Sequence, residues 1–136
     1  MKIELLKFNN KIKLPKRMHD SDTGADIFMP TGGSIAAHET KIIPAGFGLD
    51  IPNGYTGKIQ VRTSVAVKGI ITHTAAIDAG YKGEIHIIIT NLSNKPFTWK
   101  KNDRLCYIEV YPCIYPIFET KKLHERLDKG IGSTGK

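Results

Sequence analysis

The amino-acid sequence predicts an all-β domain, a sandwich or barrel made of short strands. Glycine and proline recur along the 136 residues, so the segments between successive turns are short. In several of those segments apolar and polar residues alternate with the two-residue period of a strand. Isoleucine, whose branched side chain suits strands, is frequent in the same segments.

Three segments show the alternation most clearly, residues 47–51, 58–62 and 84–89. In each of them, apolar side chains at every second position share one face of the predicted strand. The residues expected to face the core are Phe47, Leu49, Ile51, Ile59, Val61, Ile85, Ile87 and Ile89.

One short helix is predicted after the second of these strands. Thr63 and Ser64 are residue types that cap helix N-termini, an apolar stretch follows, and Gly69 closes the segment. No other segment sustains the amphipathic pattern of a long helix.

Composition limits the class of partner. The net charge of +7 favours an anionic partner, but the lysines are scattered and do not interleave with aromatic residues, so specific nucleic-acid binding is not expected.

No apolar run approaches the ~20 residues of a membrane span, and the N-terminus lacks the apolar stretch of a secretory signal. Cys106 and Cys113 have no metal-ligand spacing and are expected to be buried free thiols in a cytoplasmic protein.

Two segments offer groups that can bind phosphate or metal. Asp26 follows a glycine turn, where its carboxylate either helps to hold a hydrated Mg²⁺ or serves only the turn. Arg62, Thr63 and Ser64 place a guanidinium and two hydroxyls at the predicted helix start, where free N–H groups favour phosphate. Plain helix capping beside a surface arginine is the alternative.

The segment from Ala76 to Glu84 is the most informative one. Two apolar residues lead to Asp78 and a glycine turn, and Tyr81 follows three residues later. Such a hairpin can present to one pocket a carboxylate that acts as a general base for water and a ring that packs against a sugar or base. A turn aspartate beside a core tyrosine is the alternative.

Two further segments complete the set. Residues 101–107 predict a turn into a strand, in which Arg104 is expected to be structural. Arg126 and the glycine-rich stretch 130–135 can form an anion-binding nest only if this tail closes over a ligand.

In this order the five segments resemble the motifs of the trimeric dUTPases (deoxyuridine triphosphate nucleotidohydrolases), over residues 14–135. The matching stretches are Thr23–Ile27, Arg62–Ser64, Ile77–Glu84, Asn102–Arg104 and Gly132–Gly135. The resemblance implies a jelly-roll-like β-barrel with one short helix over residues 1–125 and a flexible C-terminal arm over residues 126–136. It also implies a homotrimer with three active sites between subunits.

The activity implied by this resemblance is hydrolysis of dUTP to dUMP and pyrophosphate with Mg²⁺, which limits uracil in DNA and supplies dUMP for dTMP synthesis. Asp78 would activate the water that attacks the α-phosphate, and Tyr81 would lie against the deoxyribose and exclude a 2′-hydroxyl. Asp26 would support Mg²⁺ through water, while the arm would close over a neighbouring subunit's site. The other residues implied in substrate binding are Arg62, Thr63, Ser64, Thr72, Ala75, Ile77, Lys82, Tyr107, Arg126, Ile131, Gly132, Ser133 and Thr134.

The sequence departs from the family pattern in five places. Tyr107 stands where the family usually has glutamine, and Ile131 where an aromatic residue stacks on the uracil. Ala75 replaces a usual glycine and Thr63 a usual serine, and the loop after Ala66 is one residue short.

Three alternative functions stay open at this point. A dCTP deaminase, which shares the fold, would need an arginine near residues 66–68 and a glutamate in the strand after Tyr81, where this sequence has neither. A catalytically weak relative that binds a nucleotide or a regulatory protein would suit the departures from the motifs. A basic nucleic-acid-binding β-barrel would explain the charge but would leave Asp78 and Tyr81 without a role.

Overall fold

Antiparallel strand pairing accounts for most of the structure, a computed structural model in which residues 1–73 and 75–123 are described. Its elements in chain order are β1 (Glu4–Lys7), β2 (Ala25–Phe28), β3 (Gly33–Ile35), β4 (Thr40–Pro44), β5 (Phe47–Asp50), β6 (Tyr55–Val61), α1 (Thr63–Ala66), β7 (Ile70–Thr72), β8 (His86–Asn91), β9 (Phe97–Trp99) and β10 (Arg104–Pro112). The strands form four small sheets with the orders β1-β5, β2-β10-β6, β3-β9 and β4-β8-β7. This arrangement confirms the predicted all-β class.

The core contains most of the residues that the alternating pattern predicted to be buried. Phe47, Ile59 and the three isoleucines at 85, 87 and 89 are buried, whereas Val61 is only partly buried at the edge of the core. The four described sheets therefore contribute to one core, which also includes Met29 and Trp99.

The short helix α1 begins at Thr63, where the sequence predicted its start, but its N-cap is not one of the two predicted residues. Arg62 is the N-cap residue, with the extended angles φ −67° and ψ 149°, and no side chain caps the helix. The reason is that the Arg62 amide donates to the Leu105 carbonyl at 2.9 Å, which keeps Arg62 in the strand conformation. Thr63 and Ser64 are therefore the first helical residues and are exposed. Gly69 ends the turn as predicted, with φ +87°.

The two cysteines differ in environment. Cys106 is a fully buried free thiol in β10, and burial raises its pKa to about 12. Cys113 lies just beyond the end of β10 and is only partly buried, so the prediction of two buried thiols is wrong for this residue. Among the described residues, no helix is both long and apolar enough to cross a membrane.

Candidate active site

Strand β10 lies between β2 and β6 and brings three of the predicted segments together. Tyr107 is the register partner of Asp26 on β2, and Arg62 directly follows β6. A shift in register between Arg104 and Cys106 marks a β-bulge. Because of this bulge, Arg104 and Tyr107 face the same side of the sheet as Asp26, although they are three positions apart and a regular strand would point them to opposite sides.

These side chains line an open hollow of about 770 Å³, called here the arginine hollow. Five of the lining residues are predicted site residues, namely Asp26, Arg62, Thr63, Ser64 and Tyr107. The structure adds Met18, His19, Asp22, Thr23, Gly24 and Arg104 to the lining. Of these six residues, the sequence offered a signal for Arg104, which belongs to the fourth motif, and for Thr23 and Gly24, which belong to the first.

Asp26 holds the two arginines of this hollow side by side. Its Oδ2 atom lies 2.9 Å from Nη1 of Arg104 and 3.8 Å from Nε of Arg62, and its side chain is only 15% exposed. Arg62 also donates through Nη1 to the Arg104 carbonyl at 2.9 Å. Each guanidinium has five N–H donors, so further donors remain for an oligophosphate.

Tyr107 shapes one wall of the arginine hollow through Gly24. A Cβ atom on Gly24 would collide with the Tyr107 ring and would lie 2.7 Å from the Ile108 carbonyl oxygen, so glycine is required there. Burial, and secondarily the negative charge of Glu109, raise the pKa of the Tyr107 phenol. The hydroxyl therefore stays protonated at neutral pH and can donate to an anion.

Asp78 sits on a turn that is fixed at both ends. Upstream, Ile77 and Gly57 of β6 exchange two backbone hydrogen bonds of 2.8 and 3.0 Å. Downstream, the Tyr81 amide donates to the Asp78 carbonyl at 3.1 Å, and Gly80 has φ +88°, as a type II turn requires. The Asp78 side chain is exposed and makes no hydrogen bond or ion pair within residues 1–73 and 75–123.

A second, smaller hollow of about 240 Å³ opens beside Asp78 and is called here the aspartate hollow. The predicted residues Thr72, Ala75, Ile77 and Tyr81 line it together with Asp78. Glu84, the last residue of the third motif, also lines it, together with His73 and His86, which the sequence did not single out.

Tyr81 is a wall of the aspartate hollow rather than a core residue. Its ring is 46% exposed, and its hydroxyl donates to the Glu84 carbonyl at 2.8 Å. The ring crosses Gly83 so closely that a Cβ atom there would lie 2.8 Å from Cζ of Tyr81. The ring is therefore held with one face free, as packing against a flat or cyclic ligand requires.

The two hollows are separate in a single chain. Of the described residues, none lines both of them. Lys82 lines neither, and its Nζ atom lies 3.8 Å from Oδ1 of Asp50 at the surface. The predicted contacts of Arg126 and residues 131–134 lie outside the described residues.

The residues that are described build no metal cage of their own, since no group of three or more His, Cys, Asp or Glu side chains could hold an ion there. Mg²⁺ usually keeps several waters and takes one or two carboxylates together with substrate phosphates. Asp26 fits that role, because its hydrogen bonds and ion pairs to other described residues all use Oδ2 and leave Oδ1 for water.

The dUTPase family model matches residues 10–135 of the chain. This chain belongs to the dUTPase family. A Clostridium tetani protein named deoxyuridine 5'-triphosphate nucleotidohydrolase is 34% identical over 142 residues, covering 100% of this chain and 97% of the relative. A protein of the same name from Wolbachia sp. subsp. Brugia malayi is 30% identical over 148 residues. The match covers 100% of this chain and 95% of the relative.

Solved dUTPase structures share the jelly-roll fold. A mutant dUTPase from phage phi11 of S. aureus, described with a structural Mg(II) ion, superposes with a TM-score of 0.84 at 22% identity and covers 92% of this chain and 99% of its own. A mutant dUTPase of Staphylococcus bacteriophage 80alpha with dUpNHpp superposes with a TM-score of 0.82 at 23% identity. The superposition covers 99% of this chain and 99% of that one. The predicted jelly-roll-like architecture is thereby confirmed.

The pairing of Asp26 with Arg104 should stabilise the dUTPase fold measurably. A double-mutant cycle with Asp26→Asn and Arg104→Gln should give a coupling of about 1 kcal/mol, because the pair is short and mostly buried. The matched control is the cycle of Asp50→Asn with Lys82→Gln, an exposed pair 3.8 Å apart, which should give less than about 0.5 kcal/mol. Denaturant unfolding, carried out at one protein concentration, measures the coupling free energy of each cycle. Equal coupling free energies in the two cycles would contradict the prediction.

Proposed function

We propose that this chain hydrolyses dUTP to dUMP and pyrophosphate by attack of water on the α-phosphate. The observation that carries the proposal is the free carboxylate of Asp78, held by a fixed turn at the mouth of the aspartate hollow. Membership of the dUTPase family and relatives named deoxyuridine 5'-triphosphate nucleotidohydrolase support it.

In the proposed reaction Asp78 is the general base. Its carboxylate accepts a proton from water while the water oxygen forms a bond to the α-phosphorus. The bond from that phosphorus to the bridging oxygen breaks, and pyrophosphate leaves with the electron pair. The absence of hydrogen bonds or ion pairs from the carboxylate to the rest of residues 1–73 and 75–123 supports this role, because both its oxygens are available to water.

The phosphates are proposed to bind in the arginine hollow. Arg62, Arg104 and the hydroxyls of Thr63, Ser64 and Tyr107 supply donors to the developing negative charge. Mg²⁺, held by the substrate and through water by Asp26, would neutralise phosphate charge when bound.

The nucleoside is proposed to bind in the aspartate hollow. The free face of Tyr81 would lie against the deoxyribose and leave no room for a 2′-hydroxyl. The backbone of residues 72–76 and the side chains of Ala75 and Ile77 would line the uracil pocket, and Lys82 would contact the phosphate side from the surface.

The active site is proposed to form between subunits of a homotrimer. Gly57, which holds the Asp78 turn, and Arg62 lie five residues apart along one extended segment, or about 17 Å. This separation within one chain supports a site in which the phosphate clamp comes from another copy. Ile114, Ile117 and Phe118, which are 87%, 87% and 91% exposed, provide apolar surface for such an assembly.

The segment 126–136 is proposed as the arm that closes over a neighbouring subunit's site. Arg126, Ser133 and Thr134 would contact the polyphosphate, Gly132 would let the backbone approach it, and Ile131 would cover the uracil. A cytoplasmic location, where dUTP is met and thiols stay reduced, completes the proposal.

Replacing the base should abolish turnover without abolishing binding. Asp78→Asn should lower kcat by about 10²-fold or more, because an amide cannot accept the proton. Pyrophosphate release from dUTP, dTTP, dCTP and UTP measures the activity and its selectivity, and calorimetry with a non-hydrolysable dUTP analogue measures binding.

The matched control is Glu39→Gln, the same carboxylate-to-amide change on an exposed turn. It should leave kcat at the wild-type value. Near-wild-type turnover in Asp78→Asn would remove this residue from the mechanism.

Sugar selectivity tests the role of Tyr81. UTP should be a much poorer substrate than dUTP, and Tyr81→Ala should narrow the ratio of their kcat/KM values because the ring no longer fills the space beside C2′. Tyr81→Phe keeps the ring and loses only the bond to Glu84, so it should keep the selectivity. Equal use of UTP and dUTP by the unmodified protein would refute this role.

Subunit mixing tests the assembly. Asp78→Asn subunits and subunits lacking residues 126–136 should each be inactive as homotrimers. In trimers co-refolded from an equal mixture, about one quarter of the sites should combine an intact Asp78 with an intact arm from another subunit. Activity near that fraction is expected, whereas no recovery, or a fully active monomer in light scattering, would contradict the shared site.

A further inference from the structure

Thr56, the second residue of β6, bonds to the peptide group that leads into Asp78. Its Oγ1 donates to the Ile77 carbonyl at 3.2 Å, and the neighbouring Gly57 amide donates to the same oxygen at 3.0 Å. The carbonyl carbon of Ile77 is bonded directly to the nitrogen of Asp78. Two hydrogen bonds on one carbonyl therefore fix the plane of the peptide that carries the carboxylate.

Asp78 itself is little packed, although its neighbours Ile77 and Ala79 pack against the core. A hollow of about 250 Å³ lies on its other side, lined by Thr56, Asp78, Ala79, Cys113 and Tyr115 among others. A Cβ atom added to Gly80, at the tip of the turn, would meet nothing within 4 Å. With space in front of and behind Asp78, the hydrogen bonds of the Ile77 peptide to β6 orient the carboxylate, together with the packing of Ile77 and Ala79.

We propose that Thr56 is a positioning residue that holds Asp78 in register for water attack. The proposal rests on the function proposed above for Asp78. Gly57 alone leaves the Ile77 carbonyl free to tilt about a single hydrogen bond, and the hydroxyl of Thr56 removes that freedom. Thr56 touches neither water nor nucleotide in this role and acts through the backbone.

The test is Thr56→Val, which removes the hydroxyl but keeps the size and the β-branch that suit a strand. Its kcat for dUTP should fall by about tenfold, because a small displacement of a catalytic group is costly. Its affinity for a non-hydrolysable dUTP analogue should stay within about twofold, since the binding groups are untouched. Thr56→Ser keeps the hydroxyl and should restore most of the kcat.

Thr98→Val provides the matched control, since it makes the same replacement at an exposed residue of β9, away from the Asp78 turn. It should leave kcat and analogue affinity unchanged. An unmodified protein that releases no pyrophosphate from dUTP would refute the proposed function itself. An active protein in which Thr56→Val keeps its kcat, or loses kcat and analogue affinity equally without rescue by serine, would overturn the positioning role of Thr56.

Discussion

The hydrogen bonding of β10 to two strands at once is the constraint on which the rest of the site depends. β10 pairs with β6 from Cys106 to Pro112, and with β2 on its other edge. Segments that are far apart in the chain are thereby fixed in register with one another. The bulge in β10 then sets which of its side chains face the arginine hollow, so that Asp26 meets Arg104 across the sheet.

Strand β6 connects the two hollows, with one hollow near each of its ends. Its beginning holds the turn that carries Asp78, and its end leads into Arg62. The rigidity of a paired strand keeps these two functions at a constant separation. Each group is thereby placed precisely, and their separation within one chain is the reason for proposing a site shared between subunits.

The sequence predicts the local features well and the irregular ones poorly. Alternation identified the buried faces at Phe47 and Ile87, because a two-residue period follows directly from strand geometry. The start of α1 was predicted, but its N-cap was misassigned, because the bond from Arg62 to Leu105 is a tertiary contact that local capping preferences do not contain. The role of Arg104 beside Asp26 was missed for the same reason, since a bulge depends on the partner strand.

The two cysteines differ in their environments, so that one of them can be labelled selectively. Thiolate is the form that reacts with alkylating reagents, and the raised pKa of the Cys106 thiol keeps it protonated and shielded inside β10. Cys113 is the more accessible thiol and lines the hollow behind Asp78. A maleimide fluorophore will therefore attach selectively next to the proposed catalytic turn, so that nucleotide binding can be followed optically in the unmutated chain.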